Sequence, residues 1–361
     1  MTKKRSALIA GTVAVILAGG GVAYALGSSR STDSADAPKP AAASIAPAPN
    51  TTETAAPQAK KTTALGVFRS TSPTDVQKFG DWLGRDVDYV IDFSRRGTWD
   101  EIANPYDQLK AWQGSDYRIV YGLAMLPEGV PDVSLAAGAD GDYDQYYQML
   151  AENLVEYGQG DAILRLGWEF NLGQWRWHPT DRQVFITYWR NIVKTMRSVP
   201  GAENLQFDWN INNGGDKYDS TAYYPGDEYV DYVGLDVYDI SFVKGIYPYP
   251  AKCAQACRVK HQKAAWNNAL NAKYGLKFWS GFAASHDKPM SFPEWGLWKR
   301  PDGHGGGDDP YFIKRMHDFI ADPANNVAYQ AYFEFDVGSK GIHELSGLKQ
   351  SGRRFQKLFG N

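Results

Sequence analysis

The sequence predicts an α/β protein: a (β/α)8 TIM barrel preceded by a signal or anchor segment and a disordered linker. From Ala64 onwards, eight short apolar runs alternate with longer polar or amphipathic segments, the order expected of strand and helix around a closed parallel sheet. The alternative is an open doubly wound sheet. No Gly-x-Gly-x-x-Gly follows the first run, and the count of eight favours closure.

Many of the eight runs are rich in Val, Ile, Tyr and Phe, which strands prefer. They are Leu65–Phe68, Val87–Phe93, Tyr117–Met125, Ala162–Phe170, Leu205–Ile211, Tyr232–Tyr238, Met290–Trp295 and Val327–Phe335. Helical spacing of apolar residues predicts helices over Tyr143–Tyr157, Asp181–Val199 and Tyr311–Ile320. Because barrel active sites lie at the C-terminal ends of the strands, polar residues that end a run are the candidates for function.

The first 63 residues do not have the composition of a folded core. Lys3, Lys4 and Arg5 precede an apolar stretch from Ala7 to Leu26, which predicts a signal peptide or uncleaved signal anchor over residues 1–26. Residues 27–63 are rich in Ala, Pro, Ser and Thr and are interpreted as a spacer. The catalytic domain is then residues 64–361. We expect an extracellular or cell-surface tethered protein that meets the membrane only through the N-terminal segment.

Charge and composition narrow the classes of partner. The formal net charge of −3 argues against a surface that neutralises phosphates, so no nucleic-acid partner is expected. Aromatic residues make up 14% of the chain, with 12 Trp and 22 Tyr. They indicate either a large core or aromatic platforms for the flat faces of sugars. We expect a monomer.

The two cysteines lie close together, at Cys253 and Cys257. Outside the cytoplasm this spacing favours a disulfide that closes a local loop. The alternative is a metal site, but His261 is the one further candidate ligand nearby.

Two glutamates end apolar runs on strands that face each other across an eight-stranded barrel. Glu169 ends the fourth run and Glu294 the seventh. A salt bridge is the structural alternative, and Arg165 could serve Glu169. Glycoside hydrolysis needs two carboxyl groups across the scissile bond, about 5–5.5 Å apart for retention of configuration and about 6.5–9.5 Å for inversion.

These motifs resemble glycoside hydrolase family 26. The matching residues are Arg165-x-x-x-Glu169-Phe-Asn171, with Trp175 and Trp177 beyond it, and Pro-Glu294-Trp-Gly on the seventh strand. The resemblance implies a retaining enzyme for a β-linked polysaccharide, an endo-β-1,4-mannanase or related endo-β-glycanase. It implies Glu169 as acid/base, Glu294 as nucleophile and a hydrogen bond from Tyr238 to Glu294. No metal or organic cofactor is required.

Two departures from the family pattern bear on the preferred sugar. The family usually has His before the acid/base, where this chain has Trp168, and Trp on strand eight, where it offers Tyr332, Phe333 and Phe335. The predicted substrate contacts are the polar and aromatic residues at or beside the strand ends: Arg165, Trp168, Asn171, Trp175, Trp209, Asn210, Asp236, Tyr238 and Trp295. Asp92, Asn212, Trp177 and His178 are further candidates.

Three alternatives remain beside this hypothesis. A non-catalytic carbohydrate-binding protein would keep the Trp platforms but would need neither glutamate. A serine esterase would need a Gly-x-Ser-x-Gly elbow, which the sequence lacks. A metal-dependent deacetylase would need clustered His and Asp. The Gly-rich segment 302–309 is interpreted as a rim loop, with His304, Asp308 and Asp309 as a less favoured metal set.

Overall fold

The computed structural model describes residues 63–214 and 218–360. Eight parallel strands close a barrel in chain order, which confirms the predicted (β/α)8 fold. The strands are β1 Ala64–Phe68, β2 Tyr89–Phe93, β3 Arg118–Leu123, β4 Ile163–Leu166, β5 Gln206–Asn212, β6 Tyr232–Tyr238, β7 Met290–Gly296 and β8 Val327–Phe333. Closure is complete along β1, since all five of its residues pair with β8, from Ala64 with Tyr329 to Phe68 with Phe333.

Helices surround the barrel and cover the outward side chains of its strands. They are α1 Pro73–Leu83, α2 Trp99–Ala103, α3 Tyr106–Trp112, α4 Leu135–Ala139, α5 Asp144–Glu156, α6 Arg182–Arg197, α7 Gln255–Asn271, α8 Leu276–Ser285, α9 Pro310–Ala321 and α10 Lys349–Phe359. The three helices predicted from periodicity correspond to α5, α6 and α9, with ends that differ by one or two residues. Asp181 caps α6 by accepting a hydrogen bond from the Val184 N–H, as the sequence pattern at that position favours.

The fourth strand is shorter than the run that predicted it. The run continues to Phe170, but β4 ends at Leu166. Gly167 and Glu169 have φ values of 60° and 51°, and a left-handed backbone cannot continue a strand. The chain therefore turns out of the sheet just before the first predicted catalytic residue.

The seventh strand carries a β-bulge. Between Ser291 and Trp295 the register shifts by one residue against both neighbouring strands, at the Pro293-Glu294 step. Proline cannot donate to a sheet ladder, and bulges re-aim side chains next to active sites. Ser291 and Glu294 both point into the barrel, which strict alternation along a strand would not allow.

Several other predictions concern segments around the barrel. Cys253 and Cys257 form the predicted disulfide just before and within α7. The two aspartates of the less favoured metal set cap helices instead: Asp309 caps α9 and Asp308 accepts from Ser351 in α10. The signal or anchor segment and nearly all of the linker lie outside the described residues. Within the described ranges, no helix combines the length and apolar character needed to cross a membrane.

Candidate active site

An arginine lies at the centre of the site. Arg165 of β4 is completely buried, and its guanidinium donates to Asp236 of β6, to Glu294 of β7 at 3.3 Å and to Asn210 of β5 at 2.9 Å. The Phe93 ring of β2 lies against it, 5.3 Å from the guanidinium carbon. Asn210 also donates to Asp236 at 3.0 Å. The charge of Arg165 is therefore shared between two carboxylates, which a buried cation requires.

Both oxygens of Glu294 accept hydrogen bonds. The Tyr238 hydroxyl donates to Oε1 at 2.7 Å, and Arg165 Nη1 donates to Oε2 at 3.3 Å. The first bond is the contact that the family resemblance implies. Together the two bonds fix the orientation of the carboxylate.

Glu169 sits in the turn that follows β4. Its backbone N–H donates to the Asn210 carbonyl at 3.1 Å, and its Oε1 accepts from the Asn212 amide at 2.5 Å. Burial, and then the negative charge of Glu294, raise the pKa of Glu169 to about 7, while Asn212 and Arg165 act in the opposite direction. Near neutral pH this carboxyl can both donate and accept a proton.

The carboxyl groups lie close together. Within the described part of the chain, Glu169, Asp236 and Glu294 form one of two groups whose ligand atoms could together approach a metal ion, with one oxygen of each within 4.8 Å of the others. Asp236 and Glu294 are already bound to Arg165, so positive charge is supplied by the protein itself. The second group contains Cys253, Cys257 and His261, but its two sulfur atoms are joined in the disulfide.

Comparison with known proteins supports a likeness to one family over about a third of the chain. The model described as "Glycosyl hydrolase family 26" matches residues 144–272, a range that includes Arg165, Glu169, Asp236 and Tyr238. The chain is family 26-like. This match supports a glycoside hydrolase.

One relative matches about half of this chain. Endoglucanase H of Acetivibrio thermocellus is 27% identical over 185 residues, which cover 48% of this chain. The match spans only about a fifth of that relative's length, 20%.

Solved structures share the fold. A modular endo-β-1,4-mannanase from Cellulomonas fimi superposes with a TM-score of 0.57 at 18% identity, covering 83% of this chain and 70% of that one. The catalytic domain of an endo-β-1,4-mannanase from Bacillus sp. JAMB-750 has a TM-score of 0.54 at 16% identity, covering 83% and 86%.

Three tryptophans form one wall beside Glu169 in this family 26-like barrel. Trp175 and Trp177 stack at 4.9 Å with an interplanar angle of 7°, and Trp168 meets them at 5.2 and 4.7 Å. The Arg96 guanidinium lies 5.1 Å from the Trp175 ring centroid. Trp175 lies beside Glu169 and lowers the pKa of that carboxyl. Trp177 is fully buried, and its indole donates to the Trp168 carbonyl at 3.0 Å.

Two predicted sugar contacts lie on the other side of the barrel wall. Trp209 of β5 packs against Trp279 and Phe282 of α8. Trp295 of β7 packs against Phe355 of α10. Both predictions are wrong for a physical reason: Asn210 and Glu294 point inward, and adjacent residues of a strand point to opposite faces.

Four other predicted contacts belong to the machinery around the glutamates. Arg165, Asn210 and Asp236 are buried and bind one another and Glu294. Asn171 exchanges two 2.9 Å hydrogen bonds with the Asn212 backbone. These residues hold Glu169 and Glu294 in position rather than facing open space.

Two further candidates bind groups other than the two glutamates. The carboxyl of Asp92 accepts from Thr71, Gln108 and Trp112, beside α3. The His178 ring bonds the Phe170 carbonyl and lies 4.8 Å from Tyr218.

Two of the three aromatic residues considered at the end of β8, Phe333 and Phe335, pack against the Phe68 ring. Phe333 lies 6.0 Å from the Tyr238 ring and 4.7 Å from Phe68, whereas Tyr332 faces Phe355 of α10.

Sequence reasoning missed His343 and Trp298. His343 is completely buried, 5.0 Å from Tyr238 and 4.7 Å from Trp298. Burial lowers the pKa of His343 to about 3, so its ring is neutral. Neither residue lies in one of the strand-like runs, so the search at strand ends gave no signal for them.

Proposed function

We propose that this chain is a retaining glycoside hydrolase that cleaves a β-linked polysaccharide. The observation that carries the proposal is the closeness of Glu169 and Glu294, whose nearest oxygens lie within 4.8 Å. Retaining enzymes have carboxyl groups about 5–5.5 Å apart, whereas inverting enzymes need about 6.5–9.5 Å to admit a water molecule.

The first half of the reaction uses the two glutamates in opposite ionisation states. Glu169 gives its proton to the glycosidic oxygen as the bond to C1 breaks, and Glu294 attacks C1 to form a glycosyl ester. Tyr238 and Arg165 hold the attacking carboxylate. The departing sugar chain leaves with the proton from Glu169.

The second half reverses the role of Glu169. Once Glu294 is esterified, its negative charge is gone, so the charge that raised the pKa of Glu169 is removed. The ionised Glu169 then takes a proton from water as the water oxygen attacks C1, and Glu294 leaves as a carboxylate. Two inversions at C1 give net retention.

The first candidate substrate is β-1,4-mannan, followed by β-1,4-glucan and mixed-linkage β-glucan. The Cellulomonas fimi and Bacillus proteins are named as mannanases, and the Acetivibrio relative is named as an endoglucanase. Both names favour cleavage within a β-linked chain. Trp168, in the position where the family usually has His, and Phe333 are the residues in this site most suited to alter sugar preference.

A panel of polysaccharides tests the proposal. The chain is incubated with β-mannan, β-glucans, β-1,3-xylan and cell-envelope polysaccharides beside Glu169→Gln and Glu294→Gln. We expect oligosaccharides from one polymer, lost by a factor of at least about 10³ in both variants. Binding of a polymer without release would favour the non-catalytic alternative, and full activity in Glu294→Gln would exclude that residue as the nucleophile.

We also propose that the barrel acts outside the cytoplasm and as a monomer. The Cys253–Cys257 disulfide supports an oxidising compartment. Fractionation of the producing cells would test the location. Recovery of the protein only from the cytoplasm, with both cysteines reduced, would contradict it. A dimer mass in light scattering would contradict the monomer.

A further inference from the structure

Two asparagines connect the turn of Glu169 to the end of β5. Asn171, on the same turn, donates from Nδ2 to the Asn212 carbonyl and accepts at Oδ1 from the Asn212 N–H, both at 2.9 Å. Asn212 in turn donates from its side chain to Glu169 Oε1. The Asn212 side chain thus holds the proposed acid/base Glu169, and Asn171 clamps the backbone of Asn212.

The clamp matters because the turn leaves the sheet early. β4 ends at Leu166, and the following backbone adopts left-handed conformations at Gly167 and Glu169. A left-handed conformation at a non-glycine residue persists where its surroundings determine it. The Glu169 N–H bond to the Asn210 carbonyl is one such link to β5, and the Asn171–Asn212 pair supplies two more.

We infer that Asn212, clamped by Asn171, is a positioning residue that occupies Oε1 of Glu169 and thereby assigns the catalytic proton to Oε2. The inference rests on the proposed function, in which Glu169 is the acid/base. An amide N–H bonds well only to an oxygen without a hydrogen pointing at it. The proton that reaches the glycosidic oxygen is therefore carried by the other oxygen.

An uncharged donor suits a group that changes ionisation twice in each cycle. A lysine at this position would hold Glu169 ionised, whereas an aspartate would hold it protonated. The amide of Asn212 opposes the effect of burial without fixing either state, and it lowers the pKa of Glu169. Removing this donor should therefore raise that pKa.

The test is the pH profile of Asn212→Ala and Asn171→Ala on two substrates. One is an oligosaccharide with a poor leaving group; the other is an aryl glycoside whose leaving group needs no protonation. Because a bond to a charged group is lost, the alkaline limb of kcat/KM should move up by about one pH unit in Asn212→Ala. At the optimum, kcat should fall about 10–100-fold on the oligosaccharide but less than about 3-fold on the aryl glycoside. Asn171→Ala should move the alkaline limb and lower kcat on the oligosaccharide in the same directions as Asn212→Ala, but by smaller amounts.

The matched control is Asn153→Ala. Asn153, on α5, is a buried asparagine whose amide donates to the Ala103 carbonyl at 2.8 Å. Its loss should lower stability and leave the alkaline limb unchanged. An unmoved limb in Asn212→Ala, or equal loss on both substrates, would overturn the inference.

Failure of the proposed function can be told apart from failure of the inference. If the wild-type chain cleaves nothing, the ¹³C chemical shift of the Glu169 carboxyl can still be titrated in the full chain. A midpoint that rises in Asn212→Ala supports the hydrogen bond as the determinant of proton placement. An unchanged midpoint rejects it.

Discussion

The direction of the Glu294 side chain depends on a single extra residue in β7. Ser291 points inward and donates to Asp208, so strict alternation would turn Glu294 outward. The bulge at Pro293 restores the inward direction. The sequence predicted the position of Glu294 at a strand end. It could not predict the bulge, although a proline within a strand is typical of one.

The Tyr238 hydroxyl should matter to catalysis more than to stability. Tyr238→Phe removes one donor to the Glu294 carboxylate, so we expect kcat/KM to fall about 10–100-fold, the range for a hydrogen bond to a charged group. Tyr232→Phe is the control, since its hydroxyl bonds the Gln206 side chain at the start of β5. Steady-state kinetics with unfolding curves would measure both effects. Equal activities in the two variants would contradict the assigned role.

The pH profile should report the ionisation of Glu169. Its pKa is raised to about 7, and the first step of the proposed reaction needs the protonated form. Activity should therefore fall as pH rises through about 7, and Glu169→Gln should lose this limb together with most of its activity on natural substrates. The measurement is kcat/KM of the wild-type chain from pH 4 to 9. A wild-type limb above pH 9 would contradict the assignment.

At the scale of elements, strand cores were predictable and strand ends were not. The eight apolar runs correspond to the eight strands, because each strand of the barrel needs apolar residues on its outward face to pack against the helices. The ends depend on backbone geometry, as at Gly167 after β4. They also depend on contacts with residues far along the chain, such as the Arg165–Asp236 ion pair.

A buried carboxyl pair should make the segments after β6 and β7 sensitive to pH. Asp309 caps α9 and lies close enough to Asp239 for each carboxyl to affect the pKa of the other. One oxygen of each is buried without another hydrogen-bond partner, so we expect the two carboxyls to share a proton. Burial is the main cause that raises the pKa of Asp309 to about 6, and it raises the pKa of Asp239 also, with Asp309 adding to the effect. Tyr247 donates to the other oxygen of Asp239.

The number of protons bound by the pair sets the direction in which stability changes with pH. The folded pair binds more protons than the unfolded chain, so the free energy of unfolding falls as pH rises from about 4 through 6. Asp239→Asn supplies an amide donor, and the fall should become smaller. Asp302→Asn is the control, because hydrogen bonds from Arg300 lower the pKa of Asp302 to about 2. Urea unfolding at several pH values measures the slopes. Equal slopes in wild type and Asp239→Asn would contradict the shared proton.

At the scale of the whole barrel, interior polar residues lie in layers along its axis. In one layer, Asp208 accepts from Ser291 and Tyr329, and Gly234 leaves it room. The sequence predicted the closed barrel from the number and order of runs. It could not predict these layers, because β5, β6, β7 and β8 meet only after closure.

Two glycine substitutions should have opposite effects on stability. A Cβ added at Gly234 would lie 1.9 Å from Asp208 Oδ1, whereas a Cβ at Gly281 in α8 meets nothing within 4 Å. Gly234→Ala should lower the free energy of unfolding by about 1–3 kcal/mol or more. Gly281→Ala should raise it by about 0.5–1 kcal/mol, through helix propensity. Denaturant unfolding measures both, and a stable Gly234→Ala would contradict the packing described for this layer.

The central claim is that Glu169 and Glu294 act as acid/base and nucleophile of a double displacement. The most direct test is the anomeric configuration of the first product, followed by ¹H NMR during hydrolysis by the full wild-type chain of the polysaccharide that it degrades. We predict that the new reducing end appears first as the β-anomer and then mutarotates. An α-anomer formed first would mean a single displacement by water and would contradict the assignment of Glu294 as nucleophile.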